Sequence, residues 1–107
     1  MDEQEFNQAA AAMLGRIEAA LEASGADIDV ELQEGGVLEL EFANGSKIIV
    51  NRHGAAREIW VAAKSGGYHF KPESAERWVA ARSGEELLSA LARCIAEQGG
   101  GEVDLRG

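Results

Sequence analysis

Short runs of strict alternation between apolar and polar residues, separated by tight turns, dominate the middle of this sequence. Residues 27–32 and 38–42 alternate in this way, with a glycine pair at 35–36 between them. Asn44-Gly45, a strong hairpin signal, leads into the next run at 47–51. Because such short connections leave no room for crossover helices, the pattern predicts an antiparallel meander.

Further strands are predicted at 58–62 and 68–71, and a shorter sixth strand at 77–80. Residues 3–23 instead place their apolar side chains at the three-to-four spacing of a helix, with Asp2 as its cap. Apolar residues at the same spacing predict a second helix that includes Leu87 through Ile95.

The ends of the second helix carry their own signals. Ser83 and Glu86, three residues apart before the apolar run, predict a capping box, and the glycines at 99–101 predict the stop. The tail from residue 102 to 107 is predicted to pack loosely. Two amphipathic helices must cover one face of the sheet, so the sequence predicts an α+β fold. We expect a two-layer sandwich of two helices on a five- to six-stranded antiparallel sheet, as a single domain over residues 1–107.

Negative charge is concentrated in the first 41 residues, which hold eleven acids and one base of a chain with net charge −9. This charge argues against nucleic acid and anionic membranes as partners and leaves metal cations and basic protein surfaces. A single cysteine, Cys94, and an acidic N-terminus without a leader pattern predict a cytoplasmic location.

Five of these acids are predicted to form one continuous surface, called here the acidic ridge: Glu18, Glu22, Asp27, Asp29 and Glu31. Carboxylate oxygens suit hard cations such as Fe³⁺, Ca²⁺ and Mg²⁺. Because no loop wraps these carboxylates, cation binding is expected to be weak. An electrostatic docking surface is an equally open interpretation.

Trp60 is the most informative aromatic residue. If Ile59 and Val61 point into the core, Trp60 points onto the open face of the sheet. An exposed tryptophan on a rigid sheet is typical of a binding hot spot, although cross-strand packing is an alternative.

Catalytic groups are sparse. We expect His53 in a loop, His69 exposed on a strand and Cys94 buried, so the protein is predicted not to be an enzyme. Haem ligation by His69 or Cys94 is conceivable, but no haem motif supports it.

Several segments, taken in order, resemble the bacterial frataxin family over essentially the whole chain. They are residues 44–51 (NGSKIIVN), Ile59-Trp60, residues 66–70 (GGYHF) and Trp78 followed by residues 82–85 (RSGE). The resemblance implies a non-enzymatic iron-binding protein that docks on the cysteine desulfurase and regulates iron–sulfur cluster assembly. Alternatives are an acidic protein-interaction module unrelated to iron, or a small enzyme.

The resemblance also implies residue roles. The acidic ridge would bind iron (Fe²⁺ or Fe³⁺) weakly at the surface without an organic cofactor, and Glu18 and Glu22 would also contact the desulfurase. Trp60 and Asn51 would contact the iron–sulfur scaffold protein, and the chain is expected to be a monomer. Relatives carry adjacent acids where this sequence has Ala19, Ala23, Gly25 and Ala26. This difference is expected to weaken metal binding more than partner docking.

Overall fold

A computed structural model describes residues 1–106 and confirms the predicted order of a helix, six strands and a second helix. The elements are α1 Glu3–Ser24, β1 Ile28–Gln33, β2 Val37–Phe42, β3 Lys47–His53, β4 Glu58–Ala63, β5 Gly66–Pro72, β6 Trp78–Ala80 and α2 Leu87–Glu97. The strands pair antiparallel in chain order from β1 to β6, which confirms the meander. The protein is therefore an α+β sandwich of two helices and one sheet.

Helix α1 begins and ends as its sequence predicts. The Asp2 carboxylate accepts a hydrogen bond from the Glu5 backbone N–H at 2.8 Å, and the Glu5 carboxylate accepts one from the Asp2 N–H at 3.3 Å. The helix ends at Gly25, whose φ of 72° is the left-handed conformation that glycine adopts without strain. Its buried stripe consists of Phe6, Ala9, Ala10, Met13, Leu14, Ile17 and Leu21.

The alternation along each strand separates a core face from an open face. On β2, Leu38, Leu40 and Phe42 are buried with residues of both helices, while Glu39 and Glu41 point the other way. The helices therefore cover one face of the sheet, and the second face is left to solvent.

The prediction that Ser83 caps the second helix is wrong. Helix α2 begins at Leu87, and Glu86 is its N-cap, accepting hydrogen bonds from the backbone N–H groups of Leu88 (2.8 Å) and Ser89 (3.2 Å). The reason is that Glu86 forms an isolated β-bridge with Val79, which keeps the chain extended until the residue before Leu87. Ser83 instead accepts a hydrogen bond from the Glu85 N–H in the preceding turn.

The prediction of a loosely packed tail is wrong for the residues that the structure describes. Leu105 is only 2% exposed and belongs to the core cluster. The Arg106 guanidinium bonds to the carboxylate of Glu86 and donates to the Ser89 hydroxyl at 3.1 Å. Arg106 is therefore held against the start of α2.

Gln98, directly after α2, joins that helix to two hairpins. Its side-chain oxygen accepts from the Lys64 backbone N–H at 2.8 Å. Its amide nitrogen donates to the Ser46 hydroxyl (3.0 Å) and the Lys47 carbonyl (3.2 Å), and its backbone carbonyl accepts from Asn44 (2.8 Å). At 6% exposure, it is the buried polar residue of the described chain.

Gly100 lets the chain turn closely across the core after this junction. A Cβ atom there would lie 2.6 Å from Ile95 Cγ2 and 2.8 Å from Phe42 Cε1. Only a residue without a side chain fits this crossing unless the core shifts.

Candidate binding surface on the open sheet face

Four carboxylates lie on the open face at the edge of the sheet where β1 pairs with β2. Asp29 is paired with Glu41, and Glu31 with Glu39. Like charges directly opposite each other on a sheet are unfavourable, so this arrangement requires a compensating cation or a strongly solvated surface. Lys47 on β3 supplies part of that compensation through a 2.7 Å contact between its Nζ and Glu39 Oε1.

The Lys47 ammonium group holds the pKa of Glu39 below its usual value, first through the hydrogen bond and then through charge attraction. In return, Glu39 raises the pKa of Lys47, and the charges of Glu41 and Glu31 add to the shift. The charges of three strand carboxylates therefore act on Lys47 together.

Asp27 and Asp29 meet Glu41 at the end of this corner, where the three residues line a shallow depression beside Ala43 and Gly45. A second depression is lined by Asp29, Glu31, Glu39 and Glu41 together with Val30. Three of the five acidic-ridge residues thus lie next to each other on the open-face side of the edge strand.

The other two acidic-ridge residues, Glu18 and Glu22, belong to the helix layer. Helix α1 packs against β1, so the five acids are divided between the two layers of the sandwich. Among residues 1–106, no three His, Cys, Asp or Glu side chains form a group that could hold a metal ion. The assignment of iron to the ridge stays a prediction.

Trp60 points onto the open face, as the alternation of β4 predicts, and it is half-buried there. Its indole ring lies between two imidazole rings in what we call the aromatic stack: His53, Trp60 and His69. The ring centroids of His53 and Trp60 are 3.8 Å apart with a 10° interplanar angle, and those of Trp60 and His69 are 4.3 Å apart with an 8° angle. The indole Nε1–H donates to Glu58 Oε1 at 2.8 Å.

The prediction that His53 lies in a loop is wrong, because β3 extends through this residue. His53 Nδ1 accepts a hydrogen bond from the Ala56 backbone N–H at 3.2 Å, which fixes the imidazole at the start of the following turn. His69 is exposed on β5, as predicted, with 54% of its side chain accessible.

Asn51 lies directly opposite Trp60 in the β3–β4 register, so the structure brings these two predicted partner-binding residues together. Sequence reasoning did not include Glu39, Glu41, His53 or His69 among the candidate binding residues. The signal for the two acids was available, since the short turn after β1 places Glu41 opposite Asp29 and Glu39 opposite Glu31.

Cys94 lies away from this surface, within the core, and is 1% exposed. Burial is the largest cause that raises the pKa of its thiol. A buried, protonated thiol is a poor nucleophile and a poor metal ligand.

None of the helices in residues 1–106 has the length and apolar character needed to cross a bilayer.

The fold and this surface together define a class of protein: a two-layer α+β domain whose helices cover one face of a meander and whose other face carries charged and aromatic side chains. A family model described as the frataxin-like domain matches residues 1–101. This chain belongs to the frataxin-like family.

Similar proteins cover nearly the whole chain. It is 53% identical over 106 residues, 99% of the chain and 100% of the relative, to the iron-sulfur cluster assembly protein CyaY of Dechloromonas aromatica. It is 50% identical to the CyaY of Cupriavidus pinatubonensis, over 92% of this chain and 90% of that one.

Among solved structures, the frataxin of Psychromonas ingrahamii matches with a TM-score of 0.90, 37% identity and 98% coverage of both chains. Yeast frataxin matches with a TM-score of 0.67 and 23% identity, over 88% of this chain and 83% of that one, which supports the fold alone.

Proposed function

We propose that this protein is an iron-binding adaptor that regulates iron–sulfur cluster assembly and docks on the cysteine desulfurase through the acidic ridge. The observation that carries the proposal is the gathering of carboxylates where β1 pairs with β2. Asp27, Asp29 and Glu41 line one depression there, and among the described residues Lys47 is the one base that forms an ion pair with the acids of β1 and β2. The assembly role named for the CyaY relatives supports the part of this proposal that concerns iron–sulfur cluster assembly.

A surface of this kind favours a basic partner. The carboxylates of the ridge and the strand acids act together at distances beyond direct contact, so they raise the rate at which a positively charged surface docks in the correct orientation. Trp60 and Asn51, farther along the same open face, contact a second partner, the scaffold protein. Binding of both partners at once places this protein as an adaptor between them.

The protein has no turnover of its own in this proposal. Its single cysteine is buried as a thiol, so a covalent or redox step through Cys94 is disfavoured. Its effect on cluster assembly therefore requires the desulfurase and the scaffold protein to be present.

Iron is the cargo of this adaptor rather than a resident cofactor. The carboxylates of the acidic ridge are hard oxygen ligands that suit Fe²⁺ and Fe³⁺ better than soft metals. Because no three acidic side chains among residues 1–106 form a ready-made group of ligands, most ligand positions around the iron would be filled by water. Affinity is therefore expected to be low and exchange fast.

Reversal of charge on the helix side of the ridge tests the docking surface. We expect the double variant Glu18→Lys/Glu22→Lys to bind the desulfurase about tenfold more weakly or worse, because repulsion replaces attraction at the encounter. Most of the loss should appear in the association rate, and its dependence on salt should become flatter. Surface plasmon resonance at two salt concentrations measures both quantities.

The matched control is Glu73→Lys/Glu76→Lys, which makes the same change in net charge beside β6, at the opposite edge of the sheet. It should bind nearly as the wild type does. If both double variants lose the same affinity, total charge rather than the ridge governs binding. If the ridge variant binds as the wild type does, the docking proposal is wrong.

Cation binding has a separate test in thermal stability. At low ionic strength, millimolar Fe²⁺ or Ca²⁺ should raise Tm by about 5 °C, because a ligand that binds the native carboxylates stabilises the folded state and relieves their repulsion. Sodium chloride at matched ionic strength should give a smaller rise, since it only screens the charges.

The paired variant for this test is Asp27→Asn/Asp29→Asn, which keeps the side-chain size and should lose most of the cation-specific rise. An unchanged Tm in the wild type would favour the alternative of an acidic interaction module unrelated to iron. Loss of the rise without loss of desulfurase binding would separate the iron role from docking.

A further inference from the structure

The aromatic stack leaves little of Trp60 available for face-to-face contact. Imidazole rings cover both faces of the indole at 3.8 and 4.3 Å, nearly parallel to it. The only polar atom of the ring, Nε1, is already bonded to Glu58, whose side chain is 14% exposed. What remains exposed to a partner is the rim of the indole, flanked by the rims of two imidazoles.

We infer that His53 and His69 are positioning residues that hold Trp60 in its binding conformation before a partner arrives, so that the partner meets the indole by its edge. The inference rests on the proposed contact between Trp60 and the scaffold protein. Beyond that contact, the inference assigns His53 and His69 as the residues that orient Trp60, and the edge of the indole as the part that touches the partner.

The edge-on arrangement also defines what the partner must offer. The rim of an aromatic ring is electropositive relative to its face, so it prefers acceptor oxygens or the face of another ring. The acidic end of the same sheet face prefers bases. The two ends of the open face therefore suit different partner groups. The acidic end suits basic side chains, and the aromatic stack suits acceptor oxygens or the face of an aromatic ring.

If Trp60 is already ordered before the partner arrives, less conformational entropy is lost on binding. A large side chain that must be immobilised during docking weakens affinity by about two- to tenfold, and most of this appears in the dissociation rate when the encounter is governed by charge. Three supports from three strands hold Trp60: His53 on β3, Glu58 on β4 and His69 on β5. Each support can be removed separately.

His69 is the better histidine to test, because its ring is largely exposed and its contacts are the stack and a 3.8 Å approach to Glu58. His53 also accepts the Ala56 N–H, so its removal would disturb the turn as well. The variant His69→Ala removes the stacking ring. The matched control His69→Phe keeps a flat ring of similar size and should rescue the function if stacking is what matters.

The first measurement is the order parameter of the Trp60 indole Nε1–H by ¹⁵N relaxation, with the buried Trp78 as an internal reference. We expect it to fall in His69→Ala, to return in His69→Phe and to stay constant for Trp78 in both. The second is binding to a purified bacterial iron–sulfur scaffold protein by surface plasmon resonance. There the dissociation rate should rise about three- to tenfold in His69→Ala and recover in His69→Phe, with the association rate unchanged.

A merely structural role for His69 would give a different result. The unfolding free energy would fall while indole order and the dissociation rate kept their wild-type values, and this would overturn the inference. It is also overturned if His69→Phe dissociates as fast as His69→Ala although its indole is ordered. The variant Trp60→Ala tests the proposed contact with the scaffold protein separately from the positioning role of His69. If Trp60→Ala binds the scaffold protein with wild-type affinity, the proposed contact is wrong. The indole order parameters of the His69 variants would still decide whether His69 holds the ring.

Discussion

Gln98→Ala is expected to lower the free energy of unfolding by about 3 kcal/mol, which is large for a residue with no apolar role. The substitution removes the acceptor for the Lys64 N–H and the donor for Ser46 and Lys47. These partners lie at the tips of the β2–β3 and β4–β5 hairpins, where the groups left behind are partly buried and lack a substitute. The loss is larger than that of one ordinary hydrogen bond because several groups become unsatisfied together.

Urea unfolding followed by circular dichroism measures this change, and the slope m shows whether the unfolded state is altered. Gln8→Ala, at an exposed position of α1, is the control and should change stability by less than about 0.5 kcal/mol. A loss below about 1 kcal/mol for Gln98→Ala would mean that water replaces the amide and that the junction is not a significant source of stability.

Leu105→Ala is expected to lower the free energy of unfolding by about 3 kcal/mol, as for other leucines removed from a packed core. The side chain is 2% exposed and packs with residues from the helices and strands. The same urea measurement applies.

Arg106→Ala separates packing from the charge contact at the end of the chain. Its side chain is 55% exposed where it bonds to Glu86, so its removal should lower stability by less than about 1 kcal/mol. If Leu105→Ala has an equally small effect, the tail is loosely attached in solution, as its sequence alone predicts.

Most of the fold is predictable because its signals are local. The alternation from Leu38 to Phe42 defines which side chains face the core, and Asn44-Gly45 defines how β2 turns into β3. The cap of α1 at Asp2 likewise depends on residues only three positions apart.

The features that sequence reasoning missed depend on contacts between distant residues. Ser83 carries the local signal for a helix start, but the bridge between Glu86 and Val79 keeps the chain extended past it. Nothing near Leu105 in the sequence marks it as buried, because the surface that receives it is assembled from other parts of the chain.

On the candidate surface, too, some features follow from local sequence signals and others depend on contacts between distant residues. The outward direction of Trp60 follows from alternation, and its pairing with Asn51 follows from register. The stacking of His53 and His69 on its two faces requires side-chain orientations across three strands, which periodicity does not specify. The division of the acidic ridge between layers follows from how α1 crosses β1, and this too is a tertiary property.

The strict chain order of the six strands has a consequence for how the protein folds during synthesis. Each strand pairs with the strand that precedes it, so the sheet grows one hairpin at a time by closing short loops, which is the fast class of folding step. Helix α2, Gln98 and the buried Leu105 emerge only after all six strands, and until they dock, the core face of the sheet beneath them stays open to water. A ribosome-bound chain that ends before α2 is therefore expected to hold a formed sheet whose core face is still exposed, and docking of α2 and Leu105 covers that face.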